Sequence, residues 1–134
     1  MYPEARVEVV GCPKLDTLPT RAPGPGPVIA VAFHWDGAMP ELRWAWPRFR
    51  HAIVRLAARY TVVGHGHPRA MKDLAPWYRR AGIEVVPDFA DVCRRADLLV
   101  FDNSSVGFEF ASTGRPVVCL EPYHYRRGVH HGLR

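Results

Sequence analysis

Asp102, Asn103, Ser104 and Ser105 stand side by side at the end of an apolar run, and Glu109 follows within the next helical turn. A turn needs only one or two such residues, so the surplus of polar groups calls for a chemical reading. Hydroxyls and amides at the start of a helix sit where unpaired backbone N–H groups and the positive end of the dipole attract an anion. Together they can hold phosphate oxygens without a lysine, and a carboxylate just beyond them suits ribose hydroxyls. The competing reading is an N-cap, which uses one of Asp102, Ser104 or Ser105 and leaves the rest idle. Taken singly, each serine is more often a cap than a ligand. Glu109 weakens that alternative, because it lies four or five residues from the serines and a capping box sets its glutamate three after the cap.

"GHGHPR" (64–69) is the second polar cluster. His65 and His67 alternate on an extended stretch, so one faces a cleft if the other faces the body, and Pro68 suits the first turn of a helix. No Cys, Asp or Glu flanks the pair at ligand spacing, so no metal is expected. A histidine that donates to a phosphate or moves a proton, with His67 the catalytic candidate, competes with a loop histidine bonded to a backbone carbonyl. His34 and His124 read as loop histidines of the latter kind, and His51 as helix surface. The first strand runs into "HWDGAMP" rather than GxGxxG, and neither GxxxxGK[ST] nor GxSxG occurs. Dinucleotide enzymes, P-loop NTPases and nucleophile-elbow hydrolases are disfavoured accordingly.

The elements that must position these residues follow from periodicity. "VIAVAFHW" (28–35) reads as a strand covered on both faces. In 46–60, Phe49, Ile53, Leu56 and Tyr60 share one helical face, with Arg48, Arg55 and Arg59 opposite and Pro47 in the first turn. Strands are then expected at 60–64, 83–87, 97–102 and 116–120, with helices at 69–81, 88–96 and 104–113, the last stopped by Gly114 and Pro116. Five core strands alternating with helices at short spacing imply an α/β, doubly wound parallel sheet with helices on both faces. Ligands of such sheets bind beyond the carboxyl ends of the strands, near the reversal of strand order, which is where the loops just described fall. Upstream, Arg6–Val10 alternates like a short strand, and "APGPGP" (22–27) is proline-stiffened linker. The expected division is therefore 1–27, strand and linker, and 28–134, the compact domain.

With 134 residues, 48% of them hydrophobic, the chain can bury one core without staples. It has no apolar run of membrane-spanning length and no signal-peptide layout near its start, so a cytoplasmic protein is expected. Cys12, Cys93 and Cys119 lack CxxC spacing, and the latter two fall on apolar faces, which predicts buried thiols rather than ligands or bridges. The net charge of +5 comes from scattered arginines more than from a basic run, so nucleic acid is disfavoured as a partner, though an anionic membrane surface or a phosphate ligand is compatible with it.

Three segments carry a resemblance: "GCPKLD" (11–16), "HP" (67–68) and above all "ADLLVFDNSSVGFEFASTGRPVV" (96–118). Together they resemble the C-terminal, donor-binding half of CDP-glycerol glycerophosphotransferases and related GT-B transferases. The resemblance implies a Rossmann-like domain in which "GCPKLD" closes the crossing between two halves. It implies further that His67, Ser104 and Ser105 contact the donor's phosphates, that Asp102 holds the turn beside them, and that Glu109 lies toward the nucleotide-linked group; His65 and Asn103 are expected in the same donor site from their place beside these residues. Asn103 stands where the family has tyrosine, Glu109 where it has aspartate, and Gly66 where a basic residue is common. The donor therefore stays open between CDP-glycerol and a nucleotide sugar, a substrate rather than a resident cofactor. The acceptor half of the family has no counterpart in the chain, so a partner domain or chain is expected to supply it, and self-association through Trp44, Trp46 and the 1–27 segment is a further expectation. An enzyme moving a glycerophosphate or sugar to a hydroxyl, a non-catalytic nucleotide-binding module and a basic nucleic-acid binder are the three classes in competition.

Overall fold

The computed structural model describes residues 6, 8–19, 24–36 and 44–121. Along the chain run α1 (Pro13–Asp16), β1 (Val28–Phe33), α2 (Trp46–Ala57), β2 (Thr61–Gly66), α3 (Pro68–Arg80), β3 (Glu84–Val85), α4 (Phe89–Arg95), β4 (Leu98–Phe101), α5 (Val106–Ala111) and β5 (Val117–Cys119). All strand pairs are parallel, in the order β3-β2-β1-β4-β5. This is a Rossmann-like α/β sheet: the order grows one way from β1 through β2 and β3, then reverses to β4 and β5.

The continuous apolar character of β1 follows from its place at the centre, where both faces are covered. Its period of two sends Ile29, Val31 and Phe33 toward Ile53 of α2 and Leu74 and Tyr78 of α3, while Ala30 and Ala32 pack with Val92 and Cys93 of α4 and Phe110 of α5. Small residues on the second face and large ones on the first keep the two layers at different depths. Close approach explains two glycines. A Cβ on Gly64 would lie 2.5 Å from the Tyr78 ring, and one on Gly107 would lie 2.1 Å from the Phe101 ring. The freedom that Gly107 offers is thus taken by a neighbouring ring.

Long-range ties fix the ends of the strands. Val28 N–H donates to Asp97 Oδ2 at 2.7 Å, binding the start of β1 to the start of β4. Arg115, stacked 4.3 Å above the Phe110 ring, donates to the Cys93 carbonyl at 2.6 Å, the Ala96 carbonyl at 2.5 Å and the Pro19 carbonyl at 3.5 Å. One guanidinium therefore joins the end of α4, α5 and the N-terminal segment.

Several expectations shift. Arg6 and residues 8–10 are not strand, and Val9 and Val10 are exposed; the element found among the described N-terminal residues is instead the single turn α1, where Pro13 begins the helix. β3 is two residues long, although Val86 N–H still donates to the Gly64 carbonyl at 2.8 Å. Cys119 is exposed rather than buried, because β5 is an edge strand paired only with β4. Trp46, expected on an unpartnered apolar face, is buried, with its ring centroid 4.2 Å from Trp77 and 5.1 Å from Phe33. Trp44 packs against the same core. Val7 of the expected first strand, His124 and the tail from 122 lie outside the described residues. Among the described residues no helix is long and apolar enough to cross a membrane.

Candidate functional site

The carboxyl ends of β1, β2 and β4 open on a cleft of about 370 Å³. It lies where the strand order reverses between β1 and β4, the place at which crossovers leaving in opposite directions part and expose the sheet edge. Each wall comes from a different stretch of chain: Lys14 from α1, His34 after β1, His65 to Pro68 at the junction of β2 and α3, and Ser104, Ser105 and Glu109 at the junction of β4 and α5. Of the residues singled out in the sequence, His65, His67, Ser104, Ser105 and Glu109 converge here. Asp102 and Asn103 are not part of the lining.

Asp102 lies beneath the cleft and is 1% exposed. Its Oδ1 accepts from His34 N–H at 2.7 Å and its Oδ2 from Ala45 N–H at 2.9 Å. Burial pushes its carboxyl up from the ordinary range, while the two backbone donors pull it down. The side chain thereby ties the end of β4 to the loop after β1 and to the start of α2. Asn103 is half-buried in the turn that follows, where Ser104 N–H donates to the Asp102 carbonyl at 2.7 Å. Ser105 occupies the N-cap position of α5, yet its hydroxyl makes no cap hydrogen bond. A serine kept at a cap position without capping is free to present its hydroxyl elsewhere.

The two histidines of "GHGHPR" differ in what they can offer. His65 is buried at the end of β2, and its Nδ1 lies 2.8 Å from the Val86 carbonyl. A carbonyl only accepts, so Nδ1 carries the proton and Nε2 keeps a lone pair. Burial holds the His65 pKa below its usual value, so the ring stays neutral and Nε2 is an acceptor. His67 caps α3 and presents the reverse tautomer: Nδ1 accepts the Arg69 N–H at 3.2 Å, which places the ring proton on Nε2. Desolvation, then the charges of His34 and Arg69, lower its pKa as well. His67 can therefore donate a hydrogen bond while neutral. The His34 ring lies 5.2 Å from His67 and 5.2 Å from Trp35, and Arg69 sits 5.3 Å above the Trp35 ring, so this rim is a layered group of flat, polarisable side chains.

Glu109 faces the opposite wall. Its Oε2 is 2.8 Å from Lys14 Nζ, with side-chain exposures of 14% for the glutamate and 64% for the lysine. That oxygen is buried and the approach makes no aligned hydrogen bond, so the pair is held by charge. Lys14 and His34 are the site residues that the sequence reading left out. "GCPKLD" drew notice only through its resemblance to a family segment, and nothing in its spacing announces that Lys14 meets a glutamate 95 positions later. His34 gave no signal beyond being a loop histidine.

The arrangement can bind an oxyanion through donors of several kinds: the Nε2–H of His67, two serine hydroxyls and one ammonium. A family model for CDP-glycerol:poly(glycerophosphate) glycerophosphotransferase matches residues 48–133. The match takes in every cleft residue from His65 onward and leaves Lys14 and His34 outside it. No curated protein is significantly similar to the chain. With the larger part of its length matched, and with β2 to β5 and the serine and His-Pro walls of the cleft inside that match, the chain belongs to the CDP-glycerol:poly(glycerophosphate) glycerophosphotransferase family.

Proposed function

We propose that the cleft holds the diphosphate of a nucleotide-activated donor and that the chain is the donor-binding half of a GT-B-type transferase. The observation that carries this reading is the convergence of His67, Ser104, Ser105 and Lys14 on one cleft at the reversal of strand order. With CDP-glycerol, an acceptor hydroxyl oxygen forms a bond to the phosphorus that bears glycerol, the bridging P–O bond breaks, and CMP leaves with the bonding pair. Negative charge grows on the departing phosphate in that step, where Nε2–H of His67, the serine hydroxyls and the ammonium of Lys14 are suited to stabilise it. The proton of the acceptor hydroxyl must pass to a base, for which the neutral Nε2 of His65 and residues of an acceptor-binding half compete.

Orientation of the acceptor supplies much of the acceleration of such a transfer, so the acceptor-binding half is assigned to a partner domain or chain. Calorimetric titration with CDP, CDP-glycerol and a UDP sugar tests the donor reading, and product formation from CDP-glycerol, with and without a supplied acceptor-binding half, tests the half-site. The expected result is nucleotide binding that His67→Ala weakens more than His65→Ala, with transfer only when the partner half is present. Binding without transfer under both conditions would make the chain a non-catalytic nucleotide module. Affinity for polynucleotides that falls steeply with salt, together with indifference to CDP and UDP, would refute the donor reading.

A further inference from the structure

Lys14 is the odd member of the cleft. It comes from α1, a four-residue helix without a buried residue, and is carried on the far side of the Pro/Gly segment from the sheet. Yet its ammonium reaches Glu109 across the cleft at 2.8 Å. Among the described residues no arginine lines the cleft, and the burial and charges that lower the pKa values of His65 and His67 keep those rings neutral near pH 7, which leaves Lys14 as the permanent cation of the described lining. Glu109 is the only carboxylate of that lining among the described residues. A diphosphate arriving in the cleft would meet this carboxylate as a like charge unless something compensated it.

We propose that Lys14 is a phosphate-binding residue that exchanges Glu109 for a diphosphate oxygen when the donor arrives, and that the exchange releases the Glu109 carboxylate to accept a hydroxyl of the donor's ribose or glycerol. The inference rests on the donor reading above. Its geometry favours exchange: the glutamate is fixed on α5 and largely shielded, whereas the lysine is mostly in solvent, on a long flexible stem that can turn without disturbing the core. The buried Oε2 is not satisfied by an aligned hydrogen bond from Lys14, so its pairing with the lysine is one that a better acceptor can displace, and an incoming hydroxyl can supply the directed hydrogen bond that Oε2 lacks. A doubly charged phosphate group, with several oxygens, is such an acceptor for a lysine. The role also gives the N-terminal crossing a chemical part in the site: the segment that leads out of the domain contributes the charge that completes it.

The test is calorimetry of the full chain with inorganic pyrophosphate and with CDP, at one fixed low salt concentration, for the parent, Lys14→Met, Lys14→Arg, Glu109→Gln and the Lys14→Met/Glu109→Gln double variant. Lys14→Met should weaken pyrophosphate binding by about tenfold or more, the scale of a lost charge-assisted bond, while Lys14→Arg keeps most of the affinity. Glu109→Gln should tighten pyrophosphate binding several-fold by freeing the lysine and removing a like charge, and Lys14→Met should still weaken binding by about tenfold or more in the Glu109→Gln background, because the lysine holds the phosphate directly. Lys14→Met strips a largely shielded carboxylate of its cation and should lower the melting temperature, a loss that the double variant should recover, so affinities are compared well below the lowest melting temperature, where every variant is folded. An affinity within twofold of the parent for Lys14→Met would overturn the proposal while leaving the donor reading standing. A Lys14→Met effect that disappears once Glu109 is glutamine would overturn it too, since the lysine would then act only by cancelling the carboxylate. Failure of the unaltered chain to bind either pyrophosphate or CDP would overturn both readings together.

Discussion

Replacing Asp102 should cost the fold far more than a single loop carboxylate would suggest. Its two oxygens are the acceptors for His34 N–H and Ala45 N–H, at 2.7 and 2.9 Å, and the residue is almost wholly buried. Asp102→Ala strands both donors, and each buried donor left unpaired costs about 1–3 kcal/mol, which puts the loss at about 2–6 kcal/mol. Relief of the desolvation that burial imposes on the carboxylate acts in the opposite sense, so the lower half of that range is expected. Asp102→Asn keeps one acceptor but turns an NH₂ toward the other N–H, so it should lose about half as much. Against a total stability of about 5–15 kcal/mol for a domain of this kind, even the smaller loss is easily read. Urea unfolding followed by tryptophan fluorescence serves as the assay, since Trp46 is buried in the core. The midpoint should fall in the order parent, Asn, Ala, with an unchanged dependence on denaturant. Two variants within about 0.5 kcal/mol of the parent would refute the reasoning, because the N–H groups would then have other partners or water.

Ser104→Ala combined with Ser105→Ala should weaken CDP binding by about 1.5–3 kcal/mol in calorimetry, with little change in melting temperature, because Ser105 makes no cap bond that could be lost. A lower melting temperature at unchanged affinity would show the serines to be caps. Burial lowers the pKa of His65 below the ordinary 6.5, so the unfolded chain binds that proton more readily than the folded one. The stability tied to a neutral His65 is therefore present above pH 6.5 and lost as pH falls below it. The drop in melting temperature between about pH 7.5 and about pH 5.5 should shrink in His65→Gln, and an identical drop would show that the ring is not desolvated.

Most of the architecture was written in local patterns. The apolar runs and the helical face of Phe49, Ile53 and Leu56 led to strands and helices whose ends in the structure differ by a few residues. What period two and period 3.6 cannot encode is which strand ends the sheet. Val117, Val118 and Cys119 read as a buried strand, but the outer position leaves them exposed. Arg6 and residues 8–10 show the limit from the other side: their residue types alternate, but among the described residues they pair with no strand, and alternation alone does not make one. In the cleft, His67 and the paired serines stood out because each belongs to a short run of unusual composition. Lys14 did not, because its meaning lies in a meeting with Glu109 that only the tertiary fold creates. The opposite tautomers of His65 and His67 were equally hidden, being set by one carbonyl of the chain after β3 and one N–H of α3.

The strand order also sets a timetable for synthesis. β1 is wholly apolar and the centre of the sheet, but one of its two edges is completed only by β4, and the tie between Val28 and Asp97 spans 69 positions. At ribosomal speeds of about 5–20 residues per second, that edge waits roughly 3 to 14 seconds for its partner. β2 and α3 arrive sooner and can shelter the face built from Ile29, Val31 and Phe33, whereas the alanine face and the β4 edge stay open until the second half has emerged. A nascent chain that stalls between α3 and β4 would thus expose a flat, uncharged strand edge of the kind that pairs with other chains. Rare codons or pauses placed in that interval should lower the soluble yield, while the same pauses after β5 should be harmless.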